Sequence, residues 1–186
     1  VDAFLQAGFN YFDTAHGYLG GKSEKAIREC LVKRYPRESF VLVDKLTSAH
    51  WNKEADIRPL LEEELAACGV EYFDALLMHA QNAEFYKKYK RERAYEIDLE
   101  FVAEGKARHF GISFHGKAEE LELILSEQPG AERGQLQFNY MDYEDAGVQS
   151  RACYEVCKRH GVPVVVMEPL RGGKLVELPA EAQELV

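Results

Sequence analysis

The sequence has no apolar run of about 18 residues, the length that a membrane-spanning helix needs. It also has no excess of basic residues, because 32 acidic side chains outweigh 23 basic ones and leave a net charge of −9. Binding to a nucleic-acid backbone requires a basic face on the protein. We therefore expect a protein that acts neither in a membrane nor on nucleic acid.

A secretion signal is also missing from the segment that opens the sequence. VDAFLQAGFN has the apolar spacing of the end of an amphipathic helix, whereas a signal peptide has a basic region followed by an apolar one. We expect the protein to be cytoplasmic.

Cysteine is scarce. The four cysteines are Cys30, Cys68, Cys153 and Cys157. Cys30 and Cys68 fall on apolar positions of helical segments, where a free cysteine acts as a small apolar side chain. Cys153 and Cys157 are four residues apart on a helix, but no second pair with ligand spacing accompanies them. We expect four reduced thiols and no metal site.

Strand-like and helical patterns alternate along the chain, whose 46% apolar and 30% charged residues are typical of a globular domain. The strand-like runs lie at 9–13, 39–44, 72–78, 108–113, 134–139 and 162–167. Stretches with the 3.6-residue spacing of a helix lie between them. We expect Ser23 to cap one of these helices and Gly69 to end another.

Alternating strands and helices, without strand pairs joined by two-residue turns, predict a parallel sheet of the α/β class. An open nucleotide-binding sheet and a barrel both meet this pattern. The sequence has no GxGxxG motif after its first strand, although an open nucleotide-binding sheet normally has one. Polar residues end several of the strands, as they do in a TIM barrel. We therefore predict a (β/α)8 TIM barrel.

The barrel is expected to be incomplete. About six β/α units can be counted in 186 residues, whereas a barrel of this type usually has about 250 residues. We predict a single domain over residues 1–186, a partial TIM barrel that lacks the first strand and the last β/α unit. The charged stretch at 80–95 is interpreted as a solvated helix-and-loop insertion.

Four polar residues follow or end apolar strands: Asp13, Tyr18, Lys45 and His79. Because the carboxyl ends of barrel strands meet on one face, we expect these side chains to converge. An ammonium near a tyrosine stabilises phenolate and lowers the tyrosine pKa, and a carboxylate holds the lysine in place. Tyr18 would then donate a proton to an oxygen that gains negative charge, while His79 orients a carbonyl group. These groups are suited to the reduction of a carbonyl group by hydride from a separate cofactor.

These residues and the motifs around them resemble the aldo-keto reductase superfamily. The motifs occur in the order DTAHGY, ALLMHA, GKARHFGIS, GQLQFNY and VPVVVMEPLRGG. The resemblance covers nearly the whole chain and about the middle of a family member. It implies that Asp13, Tyr18, Lys45 and His79 form the catalytic tetrad, with Tyr18 as the proton donor.

The same resemblance implies a site for NADP(H). Ser113 and Gln135 match the residues that hold the nicotinamide carboxamide. Met167 stands where an aromatic residue commonly stacks on the nicotinamide ring. Leu170 and Arg171 begin the next loop, from which Arg171 would reach a phosphate.

The chain departs from the family pattern at Phe114, where asparagine is usual, and at Glu168, where serine is frequent. Its motifs are closest to a bacterial and archaeal branch whose members often carry a C-terminal extension with cysteines for an iron–sulfur cluster. No such cysteine pattern occurs in these 186 residues. His50 and Trp51 are expected to face the substrate.

The leading hypothesis is an NAD(P)H-dependent oxidoreductase that reduces a small aldehyde or ketone to an alcohol. Two alternatives stay open. One is a nicotinamide-binding regulatory or redox-sensing subunit with little turnover, which the two departures favour. The other is a chain that is inactive by itself. Family members bind the adenosine 2′-phosphate through the last strand and its loop, which we expect this chain to lack. The sequence leaves open the carbonyl substrate, the preference for NADPH or NADH, and the oligomeric state.

Overall fold

The computed structural model describes residues 1–177 and 180–183. Six strands form one sheet in the order of the chain, and every neighbouring pair is parallel. The strands are β1 (Tyr11–Asp13), β2 (Val41–Leu46), β3 (Ala75–Gln81), β4 (Phe110–Phe114), β5 (Arg133–Gln137) and β6 (Val164–Met167). The prediction of six parallel β/α units is confirmed.

Helices alternate with the strands along the chain. They are α1 (Asp2–Gln6), α2 (Ser23–Ile27), α3 (Glu54–Cys68), α4 (Ala83–Arg91), α5 (Ala94–Ala103), α6 (Ala118–Glu127), α7 (Ser150–Arg159) and α8 (Ala180–Gln183). A π-helical turn, Arg28–Val32, continues α2. No helix in the described ranges is both long and apolar enough to cross a membrane.

The sheet is curled. Gln135 of β5 donates a hydrogen bond from Nε2 to Asp13 Oδ2 of β1 over 3.3 Å. These strands are four positions apart in the sheet, and a flat sheet would separate them by roughly 19 Å at the usual strand spacing. The contact therefore requires the curvature of a barrel wall, and the fold is an incomplete (β/α)8 barrel.

Side chains alternate between the two faces of this wall, as the pleat of a strand requires. Outward residues such as Leu42 and Leu46 of β2 join the large apolar core beneath the helices. Inward residues such as Val43, Ala75 and Leu77 form a small second cluster inside the curl. Lys45 has the inward parity of Val43, so the inner side of β2 changes from apolar to charged toward the carboxyl end of the strand.

Three local predictions fail, each for a packing reason. Ser23 begins α2 instead of capping it, and its hydroxyl bonds with that of Thr14 over 2.7 Å. Cys30 lies on the outside of its helical turn and is exposed. The stretch 80–95 is no solvated insertion, because it forms α4 and the start of α5 and buries Tyr86 and Tyr89 in the core.

The prediction that Gly69 ends a helix is confirmed. Gly69 follows α3 with a φ of 73°, in the left-handed region. Its backbone N–H donates to the carbonyls of Leu65 and Ala66 at the end of the helix. A residue without Cβ adopts this conformation at little cost, which is why glycine stops helices here.

Carboxyl groups are buried behind β2, among the helices. Asp44 has outward parity, accepts a hydrogen bond from the Cys68 thiol over 3.5 Å, and lies close to Glu24. Glu64 precedes Cys68 by one turn of α3 and is fully buried, as is Asp98 of α5. Burial, reinforced by the charge of Glu24, raises the pKa of Asp44 to about 8, and burial raises the pKa values of Glu64 and Asp98 well above the usual range. Asp44, Glu64 and Asp98, which we call the buried carboxyls, are neutral acids over much of the ordinary pH range.

Candidate active site

The four predicted tetrad residues meet on the inner face of the curled sheet. The Lys45 ammonium donates to the Asp13 carboxylate and to the Thr14 carbonyl oxygen, the latter over 2.7 Å. It lies 5.0 Å from the centre of the Tyr18 ring. The Tyr18 hydroxyl and His79 Nε2 are 3.2 Å apart. One chain of contacts therefore runs from Asp13 through Lys45 and Tyr18 to His79.

The loop after β1 sets the position of Tyr18. The Tyr18 N–H donates to the Ala15 carbonyl, and its own carbonyl accepts from the N–H groups of residues 21–23. Gly17 has a φ of 86°, and a Cβ at this position would come within 2.5 Å of His50 Nε2. A glycine is therefore needed just before Tyr18, both for its backbone conformation and for the close approach of the imidazole.

Tyr18 does not become more acidic in this setting. Burial raises the pKa of Tyr18, and so do the negative charges of Asp13 and of Asp44, the latter ionised in the alkaline range where a phenol titrates. This is opposite to the predicted direction. The reason is that the Asp13 carboxylate compensates the positive charge of the Lys45 ammonium, while the phenol loses part of its hydration. Tyr18 consequently holds its proton throughout the physiological range.

His79 is neutral for a related reason. Its burial, together with the positive charge of Lys45 and the neighbouring His115 and His50, lowers the pKa of His79 to about 4. The other ring nitrogen, Nδ1, lies 2.6 Å from the Thr47 hydroxyl oxygen. Thr47 was not singled out from the sequence, although it lies two residues beyond Lys45 and thus shares its side of the chain. That parity is the only signal that would have indicated it.

Ser113 and Gln135 lie side by side on the inner face, since they are paired in the register of β4 and β5. Ser113 is 1% exposed and Gln135 7%. The Ser113 hydroxyl and the Gln135 Oε1 are buried and have no hydrogen-bond partner among the described residues. Buried polar groups are normally paired, so a hydroxyl and an amide oxygen that await a partner indicate a polar ligand at this point.

The remaining predicted cofactor residues lie at the open end of β6. Met167 ends that strand with the inward parity of Gln135, and it is half-buried. Leu170 is 52% exposed. Arg171 lies 3.4 Å from the buried Asp142 carboxylate.

The predicted substrate-facing pair separates in the structure. Trp51 is 2% exposed and packs edge-on against Tyr89 within the apolar core, so it does not face an open site. His50 stays at the surface, and its ring contacts that of His16 at a centroid distance of 4.7 Å. Only His50 remains beside Tyr18, through its contact with the backbone at Gly17.

The model of the Aldo/keto reductase family matches residues 1–183 of this chain. Norsolorinic acid reductase B from Aspergillus parasiticus is 28% identical over 126 residues, which cover 61% of this chain and 32% of that protein. Protein REDOX 2 from Catharanthus roseus is 26% identical over 187 residues, with 89% of this chain and 54% of that protein covered. The chain thus spans between about a third and about half of the length of these relatives.

Solved structures show the same likeness. A thermostable aldo-keto reductase, in complex with the inhibitor epalrestat, is similar with a TM-score of 0.76 and 26% identity, over 98% of this chain and 62% of that one. An aldo-keto reductase from Klebsiella pneumoniae, in complex with NADPH, is similar with a TM-score of 0.72 and 23% identity, over 94% of this chain and 58% of that one. At the lower identity the likeness is one of fold.

Proposed function

The chain belongs to the aldo/keto reductase family, and on that premise we propose that the protein is an NAD(P)H-dependent oxidoreductase that reduces the carbonyl group of an aldehyde or ketone to an alcohol. The observation that carries this proposal is the contact chain of Asp13, Lys45, Tyr18 and His79 on the inner face. It presents a protonated phenol beside an ammonium and a neutral imidazole, which is an acid poised to protonate an oxygen.

The residues present fit the carboxamide of a nicotinamide. The Gln135 Oε1 can accept from an amide NH₂ group, and the Ser113 hydroxyl can donate to an amide oxygen. We therefore assign Ser113 and Gln135 to the carboxamide, Met167 to the ring, and Leu170 and Arg171 to the loop near the phosphates. NADPH is bound in the structure of the Klebsiella pneumoniae relative. When bound, NADP(H) supplies the hydride that reduces the carbonyl carbon.

Tyr18 supplies the proton in this proposal. As the carbonyl oxygen gains charge, the Tyr18 O–H bond breaks and a new O–H bond forms on the substrate oxygen. The high pKa of Tyr18 keeps that proton available at physiological pH, and an alkoxide is basic enough to take it. The phenol is 40% exposed, so water can return the proton afterwards.

Lys45 stabilises the phenolate that Tyr18 becomes, and Asp13 holds the Lys45 ammonium in place. Once the proton leaves, the phenolate is close to the Lys45 ammonium, whose charge now has two anionic neighbours instead of one. Gln135 extends this arrangement, because its amide joins Asp13 to the proposed carboxamide site. The acid and the cofactor would thus be held in one hydrogen-bonded frame.

The test of the proposed function is oxidation of NADPH in the presence of a small aldehyde, followed by absorbance. We expect aldehyde-dependent consumption of NADPH with formation of the alcohol. Binding of NADPH without turnover of any aldehyde or ketone would contradict the reductase and support the regulatory subunit. Absence of both binding and turnover would contradict both for this chain and support the alternative of a chain inactive by itself.

Gln135→Ala is expected to weaken NADPH binding by roughly tenfold, because the amide would lose one well-placed hydrogen bond to the cofactor. Fluorescence titration of NADPH measures this affinity. Gln128→Ala is a matched control, since Gln128 contacts Tyr86 on the helix side of the sheet. An unchanged NADPH affinity in Gln135→Ala would remove Gln135 from the cofactor site.

A further inference from the structure

A thiol and two carboxyl groups meet behind β2, on the face of the sheet away from the tetrad. Carboxyl oxygens of Glu24 and Asp44 and the Cys68 sulfur all lie within 4.8 Å of one another. The three residues, which we call the thiol–carboxyl cluster, come from α2, β2 and α3, and all are buried. A thiol in a protein core normally acts as a small apolar side chain. A buried thiol set between two carboxyl groups therefore indicates a further role.

The separations in this cluster suit a tetrahedral divalent cation. The Cys68 sulfur is 3.5 Å from Asp44 Oδ2. Zinc bonds a thiolate sulfur at about 2.3 Å and a carboxylate oxygen at about 2.0 Å, so a tetrahedral angle between the two bonds places the ligand atoms about 3.5 Å apart. The thiol and the carboxyl group are thus already at the spacing of two zinc ligands.

Glu64 gives an independent indication of a ligand at this place. It precedes Cys68 by one turn on the same face of α3, and it is fully buried. Neither of its carboxyl oxygens has a hydrogen-bond partner among the residues that the structure describes. Of the neighbouring carboxyl charges, that of Asp44 acts on Glu64 most strongly and that of Glu24 next, so the Glu64 carboxyl group faces the thiol–carboxyl cluster. A buried polar group without a partner is costly.

Protons alone leave this arrangement incomplete. When Asp44 and Cys68 keep their protons, the groups avoid mutual repulsion and the thiol donates to Asp44. Glu64 then still has no partner in the described part of the chain. A divalent cation would compensate the charges that these groups carry as anions, and it would bond to Glu64 as well. Buried charges in proteins are paired in this way or coordinate a metal.

We propose that the thiol and the three carboxyl groups bind one structural zinc ion. The ligands are Glu24, Asp44, Glu64 and Cys68. Magnesium and calcium take oxygen ligands, whereas zinc also binds thiolate, so the thiol favours zinc. Four protein ligands leave no open position for a substrate, which makes the site structural. His16 Nδ1 lies 3.3 Å from the Glu24 carboxylate and would orient that ligand from the surface side.

The zinc site is independent of the proposed reductase function, because its four ligands lie outside the tetrad and the proposed cofactor site. Zinc binds thiols and carboxyl groups as anions, so the ion would displace the protons that Asp44 and Cys68 hold in the metal-free chain. The expectation of no metal site rested on the spacing of cysteines, which takes no account of carboxyl groups from other elements. The ion would join α2, β2 and α3 directly behind the strand that carries Lys45.

Cobalt(II), a spectroscopic substitute for zinc, tests the thiol ligand. The purified chain is stripped with a chelator under a phosphine reductant and titrated with CoCl₂. We expect the intense visible bands of tetrahedral cobalt and a sulfur-to-cobalt charge-transfer band in the near ultraviolet. Cys68→Ser should remove the charge-transfer band. Cys157→Ser is the matched control and should retain it, because Cys157 is equally buried but lies against Gly134 of β5.

Zinc affinity tests the carboxyl ligands, and competition with a chromophoric chelator measures it. Asp44→Asn and Glu64→Gln keep the shape of the neutral acids, so both variants should fold without metal. We expect each to bind zinc at least about a hundredfold more weakly, since losing an outer partner alone costs about ten- to a hundredfold. Asp98→Asn is the matched control, because Asp98 is also buried without a hydrogen-bond partner among the described residues but lies on α5, outside the cluster.

Urea unfolding with ZnCl₂ and with EDTA completes the test. Zinc should stabilise the native chain and Asp98→Asn, and it should stabilise Asp44→Asn and Glu64→Gln much less. Native-like circular dichroism of the variants in EDTA shows that weaker binding does not come from unfolding. A native chain without tetrahedral cobalt bands would overturn the site. Binding that survives both Cys68→Ser and Asp44→Asn would place the ion elsewhere and overturn it equally.

Discussion

Replacing Tyr18 by phenylalanine is expected to lower kcat for aldehyde reduction by about a thousandfold, within the range by which a positioned general acid accelerates a reaction. The substitution removes the hydroxyl group that contacts His79 and with it the proton that we propose Tyr18 gives to the substrate. The aromatic ring stays, and so do its contacts with the Lys45 ammonium and the His79 ring. The loss should therefore fall on the chemical step.

Single-turnover kinetics with NADPH measure this effect, and NADPH titration of the variant should give an unchanged affinity. Tyr140→Phe is the matched control, because Tyr140 is 63% exposed and belongs to no part of the proposed site. Turnover by Tyr18→Phe within threefold of the native protein would show that another group protonates the substrate.

Asp13→Asn is expected to destabilise the fold by about 3 kcal/mol, because it leaves a buried ammonium without its counter-charge. The Lys45 side chain is only 1% exposed, and among the described residues the carboxylate that forms an ion pair with it is that of Asp13. The Thr14 carbonyl oxygen would remain as a hydrogen-bond acceptor but carries no net charge. Urea unfolding at pH 7 measures the change in the free energy of unfolding.

Two comparisons give this prediction its direction. Lys45→Met should cost less than Asp13→Asn, because the Asp13 side chain is 29% exposed and can regain water when its partner is removed. The double variant should be more stable than Asp13→Asn alone. Asp2→Asn is the control, since Asp2 pairs with Arg34 at the exposed surface, where an ion pair adds little. If Asp13→Asn were no more destabilising than Lys45→Met, the asymmetry read from the burial of the two groups would be wrong.

The architecture could be read from the sequence because its signals are local and repeated. Six apolar runs separated by helical spacing left few folds possible, and the carboxyl ends of parallel strands had to share one face. The inward parity of Lys45, Ser113 and Gln135 follows from the same two-residue period. A period and a topology were therefore sufficient to bring together residues as far apart in the chain as Asp13 and Gln135.

The failed predictions concern the electrostatics and packing of individual groups. The pKa of Tyr18 depends on how strongly Asp13 compensates the charge of Lys45 and on how much hydration the phenol loses. Neither quantity can be predicted from the spacing of the residues in the sequence. Trp51 was expected to face the substrate because it follows the strand that carries Lys45, yet its side chain is buried in the core. The contact between Thr47 and His79 joins two strands through side chains, so it appears only when both strands are in register.

The buried carboxyls behind β2 couple the stability of the fold to proton release. Asp44, with a folded pKa of about 8, and Glu64, with one well above its usual value, keep their protons in the folded protein, whereas an unfolded chain ionises such groups near pH 4. Unfolding at neutral pH therefore liberates protons. The stability associated with these groups is complete below about pH 4 and is lost as the pH rises through the folded values, for Asp44 through about pH 8. Most proteins lose stability when their carboxylates are protonated. At this site the relation is reversed, because alkali gives Asp44 a negative charge in surroundings that exclude water. Deprotonation of Asp44 is therefore expected to destabilise β2, the strand that carries Lys45.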